Sequence, residues 1–406
     1  MTDICIVGAG PAGLVLALQL ARAGADIVVV ESSLTYKRSF RGESMQPDTV
    51  SIFKELGILD DLLAHGCLET HQMMLTERGK SLLTINYTGV PYRHKFVMDI
   101  PQPVLLEALK KRLETYPNCK MIRGATCEGL LWADNSVSGI SYRLHDEKQP
   151  VNLLARLVIG ADGRYSKVRD FSKLEWKKHA AARDVLWFKV PLPANAPDNT
   201  ARIMIDGANH LILLPTFPDY YRAGINVPKG GFLALRRQGL ESFYQLVEGI
   251  DAEFGQHVRE HVKSWTDVHL LDIFTTTMPQ WGREGLLLIG DAAHTVTPLL
   301  GQGVNLAIQD AMTLAPMLSR ALEENGPDIR LCQAFQAKRQ AEVDFVVNLQ
   351  FRQEKLLGAH TPMQQILRRF NYSLLNQFTF IQRKINNRIA YRRQRQLQLF
   401  QEGSQP

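Results

Sequence analysis

Ile4-Cys5-Ile6-Val7-Gly8-Ala9-Gly10-Pro11-Ala12-Gly13 is the stretch that decides the fold. Residues 4–7 are an apolar run that reads as a buried parallel strand. Gly8, Gly10 and Gly13 then form G-x-G-x-x-G at the mouth of a helix. The first glycine of such a pattern allows a tight turn. The second lets the backbone approach a pyrophosphate, and the third lets helix pack on strand. Pro11 and Ala12 lie in the helix start, whose free N–H groups and dipole favour phosphate. Leu14, Leu16, Ala17, Leu20 and Ala21 give the helix its apolar face, and Gly24 ends it. Asp26-Ile27-Val28-Val29-Val30 is a second buried strand with Glu31 at its end. A carboxylate about 20 residues past the glycines is placed to accept from a ribose hydroxyl. Strand, glycines, helix, strand and acid in this order predict a dinucleotide site. They do not separate NAD from FAD.

Almost the whole chain away stands Leu287-Leu288-Ile289-Gly290-Asp291-Ala292-Ala293-His294, followed by Pro298, Gly301, Gly303, Val304 and Asn305. Residues 286–289 read as another buried strand. Asp291 follows at its carboxyl end, where open α/β sheets bind ligands, and can hold ribityl hydroxyls. Gly301-Gln302-Gly303 opens a helix over residues 303–323. Its first N–H groups, at Gly303 and Val304, suit the anionic edge of a reduced flavin. The two segments together predict FAD held along its length. Pro298 and Gly303 are the candidates for the flavin-ring environment. His294 reads either as a structural hydrogen-bonding residue or as a proton shuttle.

A third motif is Val158-Ile159-Gly160-Ala161-Asp162-Gly163, with Ser166 and Arg169. The three motifs in this order resemble the single-component FAD aromatic hydroxylases of the para-hydroxybenzoate hydroxylase type, over about residues 1–350. The resemblance implies that Asp162 and Gly163 contact the pyrophosphate and ribose region. It also implies that Arg41, in Phe40-Arg41-Gly42-Glu43, lies near the FAD phosphates. Where the family often starts a helix with Arg, this chain has Gln102, before Leu105 and Leu109; a FAD contact and a plain helix start are both open for it. The activity implied is NAD(P)H- and O₂-dependent hydroxylation of a small aromatic or phenolic molecule through a flavin C4a-hydroperoxide. With one G-x-G-x-x-G in the chain, NAD(P)H is expected as a transient reductant. Flavin halogenases of this fold carry G-W-x-W-x-I-P, and none of Trp132, Trp176, Trp187, Trp265 or Trp281 stands in that pattern. Two alternatives stay open: a same-fold isoprenoid or quinone-pathway flavoenzyme at a membrane surface, and a non-catalytic flavoprotein sensor.

The fold class expected is α/β: a Rossmann-type FAD-binding domain, an inserted mostly antiparallel β-sheet substrate domain, and C-terminal helices. The FAD-binding domain is discontinuous, over 1–71, 98–181 and 271–345. Residues 72–97 and 182–270 form the substrate domain. Within it, residues 185–190, 202–205, 211–215 and 221–227 read as strands, with a hairpin turn at Pro218-Asp219. Residues 239–263 read as helix. Trp187, His210, Tyr220 and Tyr221 are its candidate substrate residues.

At 406 residues, 45% hydrophobic and 22% charged, the chain has a soluble balance and exceeds one core. Its five cysteines are scattered, with no C-x-x-C, which argues against a disulfide framework, a flavin disulfide reductase and a metal site. No signal peptide or spanning helix is expected, so the setting is cytoplasmic, for a monomer or homodimer. Residues 346–406 are helical with a basic tail. Residues 366–401 hold eight cations and no acid; of the net charge of +6, the rest of the chain then carries about −2. Ile366, Phe370, Leu374, Phe378, Ile381, Ile385 and Ile389 form an apolar helical stripe. Packing of that stripe on the body with arginines outside, and attachment to a membrane surface, are the two readings; nucleic acid fits nothing else in the chain.

Overall fold

The strand Thr2–Val7 lies inside an eight-stranded sheet in the computed structural model, which describes residues 1–36, 42–197 and 199–394. Its neighbours are Ile27–Glu31 on one side and Val151–Gly160 on the other, both parallel to it. Leu286–Leu288 and Cys119–Arg123 extend the parallel array outward. The register matters most. Val7 pairs with Val30 and with Gly160, and Gly160 pairs with Leu288. The three motifs therefore leave the sheet at one carboxyl edge, on both sides of the point where strand order reverses. Ligands bind at such a crevice in open α/β sheets.

The first helix, Pro11–Arg22, and the long helix Gln302–Glu323 pack together beside this sheet. Leu14, Leu16, Leu20, Ile308, Leu314 and Leu318 are fully buried in the same core. The Gln302–Glu323 helix begins one residue earlier than the sequence spacing predicts.

A seven-stranded sheet combines Gln72–Glu77 and Lys80–Asn86 with five strands between Arg183 and Leu271. It is antiparallel except where Thr200–Asp206 meets Gln72–Glu77. The four expected strands are present, each one to two residues longer at its ends. The expected 239–263 helix is two, Leu240–Glu248 and Ala252–His261, because Gly249 caps the first and Asp251 caps the second. Phe243, Val247, Phe254 and Val258 on these helices bury one face of the sheet. The other face looks toward the crevice.

Three helices close the described chain: Ile329–Leu357, Pro362–Gln377 and Thr379–Ile389. Two features of the basic tail differ from expectation. Arg368 is not outside: it is fully buried, donating to Gly207 O at 2.8 Å and pairing with buried Glu77. Nor does the start of the apolar stripe pack on the body. Ile366 and Phe370 are exposed, because Arg368, Tyr372 and Leu375 occupy the inward face of that helix. No described helix is long and apolar enough to cross a membrane.

Candidate active site

One cavity of about 510 Å³ runs from the glycine turn to the seven-stranded sheet. Gly8, Gly10, Pro11 and Ala12 line its first end. Gly8 holds φ +107°, and a Cβ there would stand 2.5 Å from Ala161 O. Gly13 faces away from the cavity and inward; its Cβ would stand 2.0 Å from Gly8 O. So both glycines serve closure of the turn: Gly8 lets it lie against the backbone of Ala161 and Asp162, and Gly13 lets the helix start lie against Gly8. Glu31 lines the cavity, and its carboxylate accepts from Ala9 N at 2.7 Å and Ser33 N at 2.8 Å. It fixes the turn from below while lining the cavity.

Asp162 and Gly163 line the middle. Asp162 accepts from Ser166 Oγ, Lys167 N and Val168 N, so it also caps the short helix Lys167–Phe171. Burial pushes its carboxyl above the ordinary range. Arg169 is a clamp between motifs: it donates to Ala292 O at 3.1 Å and to Arg164 O at 3.0 Å and stacks on Trp176. Asp291 lines the cavity with its carboxylate part-exposed and Arg164 Nε 3.8 Å away. Gly290 lies behind it, at φ +59°, outside the lining.

The loop from Thr297 to Gly301 forms the wall opposite. Leu300 has φ +65° and Gly301 φ +60°, a strained pair for which the first residue is not glycine. Gln350, buried on Ile329–Leu357, holds that loop by donating to Thr297 O at 2.9 Å and Leu299 O at 2.7 Å. The Pro298 carbonyl accepts from Gly301 N at 3.1 Å. Gly303 and Val304 line the cavity where the next helix opens. Asn305 does not. It is fully buried, and its amide accepts from Gln46 N and Thr49 Oγ1 and donates to Ser44 O and Gly301 O. All its hydrogen-bonding capacity is spent inside the protein, so it positions the loop and leaves nothing for a ligand.

His294 takes the structural role. Its Nε2 lies 2.6 Å from Asp310 Oδ2, and Arg339 Nε lies 2.6 Å from Asp310 Oδ1. Asp310 also accepts from Gly290 N at 2.8 Å. The His294 and Arg339 charges hold the Asp310 carboxyl down to about 2, against burial. Removing one partner of such a buried set costs about 3–5 kcal/mol. Asp310→Ala is therefore expected to lower the denaturant midpoint strongly. The sign with pH follows: this stabilisation is complete above the ordinary carboxyl pKa of about 4 and is lost as pH falls toward 2. Urea unfolding at several pH values checks both.

At the far end the cavity meets Trp187, Ala201, Ile203, Ile212, Leu214 and Arg222 from the seven-stranded sheet. Of the four candidate substrate residues, Trp187 lines the cavity. Tyr221 is one residue from Arg222, so it points to the opposite face and packs against Phe254. Tyr220 is exposed at the hairpin end. His210 is buried away from the lining, and burial with nearby Arg183 and Arg368 drives its pKa down to about 3. Arg41 lies outside the described residues. Gln102 lines the cavity, and a Cβ on Gly42 would stand 2.4 Å from its Nε2.

A polar group missed at the sequence level sits here. Ser44 pairs in register with Asp99, and Leu68–Thr70 pairs with the same strand. Ser44 Oγ and Thr70 Oγ1 both donate to the Asp99 carboxylate. Arg222 Nη2 donates to Ser44 Oγ at 3.1 Å, and Arg222 Nη1 lies 3.6 Å from buried Glu43, itself 3.7 Å from Lys189. The Arg222 guanidinium lies 5.2 Å from the Trp187 ring. Burial pushes the Asp99 carboxyl up to about 6. The only signal for this group was the position of Arg222 three residues past the expected turn at Pro218-Asp219, which fixes no face.

The residues fit FAD. Gly8, Gly10, the helix start at Pro11 and three acids, Glu31, Asp162 and Asp291, stand in one continuous cavity. Buried atoms on its wall, Gln46 Oε1, Trp187 Nε1 and Arg222 Nε among them, have no hydrogen-bond partner, as a wall awaiting polar ligand atoms does.

Comparison with known proteins agrees. Residues 1–349 match the family described as FAD binding domain. The chain is 34% identical over 406 residues to 6-methylpretetramide 4-monooxygenase of Streptomyces rimosus, covering 99% of this chain and 96% of the relative. It is 26% identical over 385 residues to a probable NADH-specific resorcinol 4-hydroxylase of Rhodococcus jostii, covering 90% and 69%. In fold it is similar to p-nitrophenol 4-monooxygenase of Pseudomonas putida, with TM-score 0.82, 18% identity, and 95% and 96% of the two chains covered. The chain belongs to the FAD-binding family of flavin-dependent aromatic monooxygenases, and it is an FAD-dependent enzyme.

Proposed function

We propose that the enzyme uses NAD(P)H and O₂ to hydroxylate a phenolic aromatic molecule bound between Trp187 and the 297–301 loop. The observation that carries this reading is the continuity of the cavity. Its FAD-binding motifs and an apolar sheet face bearing one buried cation, Arg222, line the same space. The relatives named for 6-methylpretetramide and resorcinol support an aromatic substrate, and the NADH-specific one supports a nicotinamide reductant.

The chain's own residues have separable tasks. Gly8, Gly10 and the start of Pro11–Arg22 accept the diphosphate, whose charge the helix N-terminus favours. Asp291 accepts hydroxyl donors of the ribityl chain. Gly303 and Val304 open a helix whose N–H groups favour negative charge on the ring system. Bound FAD supplies the redox chemistry, taking electrons from NAD(P)H and delivering one oxygen atom from O₂. Trp187, Ile212 and Leu214 hold the aromatic substrate and exclude water. Arg222, with its unpartnered Nε, stabilises a phenolate oxygen. The phenolic proton passes through Ser44 Oγ to Asp99, which is largely ionised at neutral pH. A cytoplasmic setting suits the five free thiols.

The test is NAD(P)H oxidation by the FAD-loaded enzyme across a panel of phenols and fused polyphenols, with product masses. The expected result is stimulation by at least one phenol and a product heavier by one oxygen atom. Stimulated oxidation that yields only peroxide with every phenol would overturn the reading.

A further inference from the structure

The helix Pro362–Gln377 turns its two sides to opposite environments. Arg368 and Tyr372 lie on the body side, bonded to Glu77 and Gln353. The other side carries Met363, Ile366, Leu367, Phe370 and Leu374, whose spacing makes one continuous helical stripe. These side chains are 73%, 57%, 55%, 62% and 38% exposed. Phe378 and Phe380 extend the stripe onto Thr379–Ile389, with their ring centroids 5.9 Å apart. A run of exposed apolar residues this long marks a surface that is used.

Charge selects what covers it. Arg383 and Lys384 stand three and four positions after Phe380, on the same helical face, and both are exposed. Residues 366–401 contain no acid to balance them. A second copy docked by a two-fold axis would set the same cations against each other. An anionic bilayer receives both features: aromatic and aliphatic side chains enter the acyl boundary while cations meet headgroups. Asn386 and Ile389, on the same helix as Phe380, line the cavity. Docking there sets a wall of the cavity against lipid.

We propose that the Pro362–Gln377 and Thr379–Ile389 helices seat this enzyme on an anionic lipid surface, in the membrane plane. The inference rests on the exposed stripe and its charge, and is independent of the substrate.

Flotation of the FAD-loaded, substrate-free protein with vesicles tests it, so a failed hydroxylation assay leaves the result readable. Phosphatidylcholine vesicles containing phosphatidylglycerol are expected to bind the protein at low salt and release it at high salt; pure phosphatidylcholine is expected to bind little. Leu367→Glu with Phe370→Glu should lower partitioning at least ten-fold. Arg383→Gln with Lys384→Gln should lower it about 30-fold, from about 1 kcal/mol per charge. These sites are exposed, and unchanged flavin absorbance per chain verifies the fold of each variant. Four results overturn the proposal. The first is no binding at low salt, which includes the case of an acidic protein as the true partner. The second is equal binding to both vesicle types, or variants that bind like wild type. The third is binding only by a chain ending at Gln394, which makes residues 395–406 the occupant. The fourth is a dimer that Phe370→Glu splits, which makes a second copy the occupant.

Discussion

Gly13→Val is expected to yield protein without flavin colour. The side chain at this position has no room: an added Cβ would stand 2.0 Å from Gly8 O and 3.4 Å from Ile6 Cγ2. Neither neighbour can withdraw, because Gly8 is held by Val30 O through its own N–H at 2.8 Å and Ile6 is in the central strand. The turn opens, and the backbone no longer presents its N–H groups at pyrophosphate distance. FAD affinity should fall by at least about 100-fold, equivalent to about 2.7 kcal/mol. Gly129→Ala is the control, since an added Cβ there meets nothing within 4 Å. Flavin absorbance per chain after gel filtration, with FAD titration of the apoprotein, measures the effect. A Gly13→Val protein that kept a full complement of FAD would remove the assignment of this turn.

The second large effect concerns the proton. With Asp99 as acceptor, kcat should follow one ionisation near pH 6 and fall below it. Asp99→Asn keeps the shape and accepts from one hydroxyl, but cannot take the proton. It should lose about 100-fold in kcat at neutral pH and lose the acidic limb of the profile. The groups that set this ionisation are named by their effects. Burial raises it, Ser44 and Thr70 lower it by hydrogen bonding, Arg222 lowers it by charge, and Glu43 raises it. The same shift has a stability consequence of opposite sign to that of Asp310. A carboxyl that titrates higher when folded costs stability as pH rises from about 4 to about 6. Asp99→Asn should therefore flatten that part of the stability curve. A variant with a wild-type pH–rate profile would show that the proton leaves by another route.

Both predictions concern the same cavity, yet they differ in how far the amino-acid order reveals them. Gly13 and its motif are local. Strand, turn and helix follow one another within a single stretch, and backbone geometry there dictates the residue type. The same holds for Gly290-Asp291 and for Asp162-Gly163, each of which ends a buried strand. Local order therefore determined the glycine-turn end of the cavity, the parallel sheet and the presence of the main strands, with ends off by one or two residues.

The substrate end was decided by pairing between distant strands. Ser44, Thr70, Asp99 and Arg222 come from four separate strands: register within one small sheet brings the first three together, and packing of the seven-stranded sheet against it brings in Arg222. Tyr221 and Arg222 are adjacent, and both faces of their strand are covered by protein. Hydrophobic alternation is then silent on which of the two faces the cavity. Asn305 follows the flavin motif in sequence, but four hydrogen bonds, three to residues 44–49 and one to its own helix start, consume its side chain. Arg368 belongs by composition to a solvated basic tail, yet buried Glu77 on another strand draws it inward. With that arginine inward, the apolar stripe of its helix turns out. The sequence alone determined that the stripe exists. The tertiary structure decided which side of it meets water, because a buried carboxylate must be paired and an exposed leucine need not be.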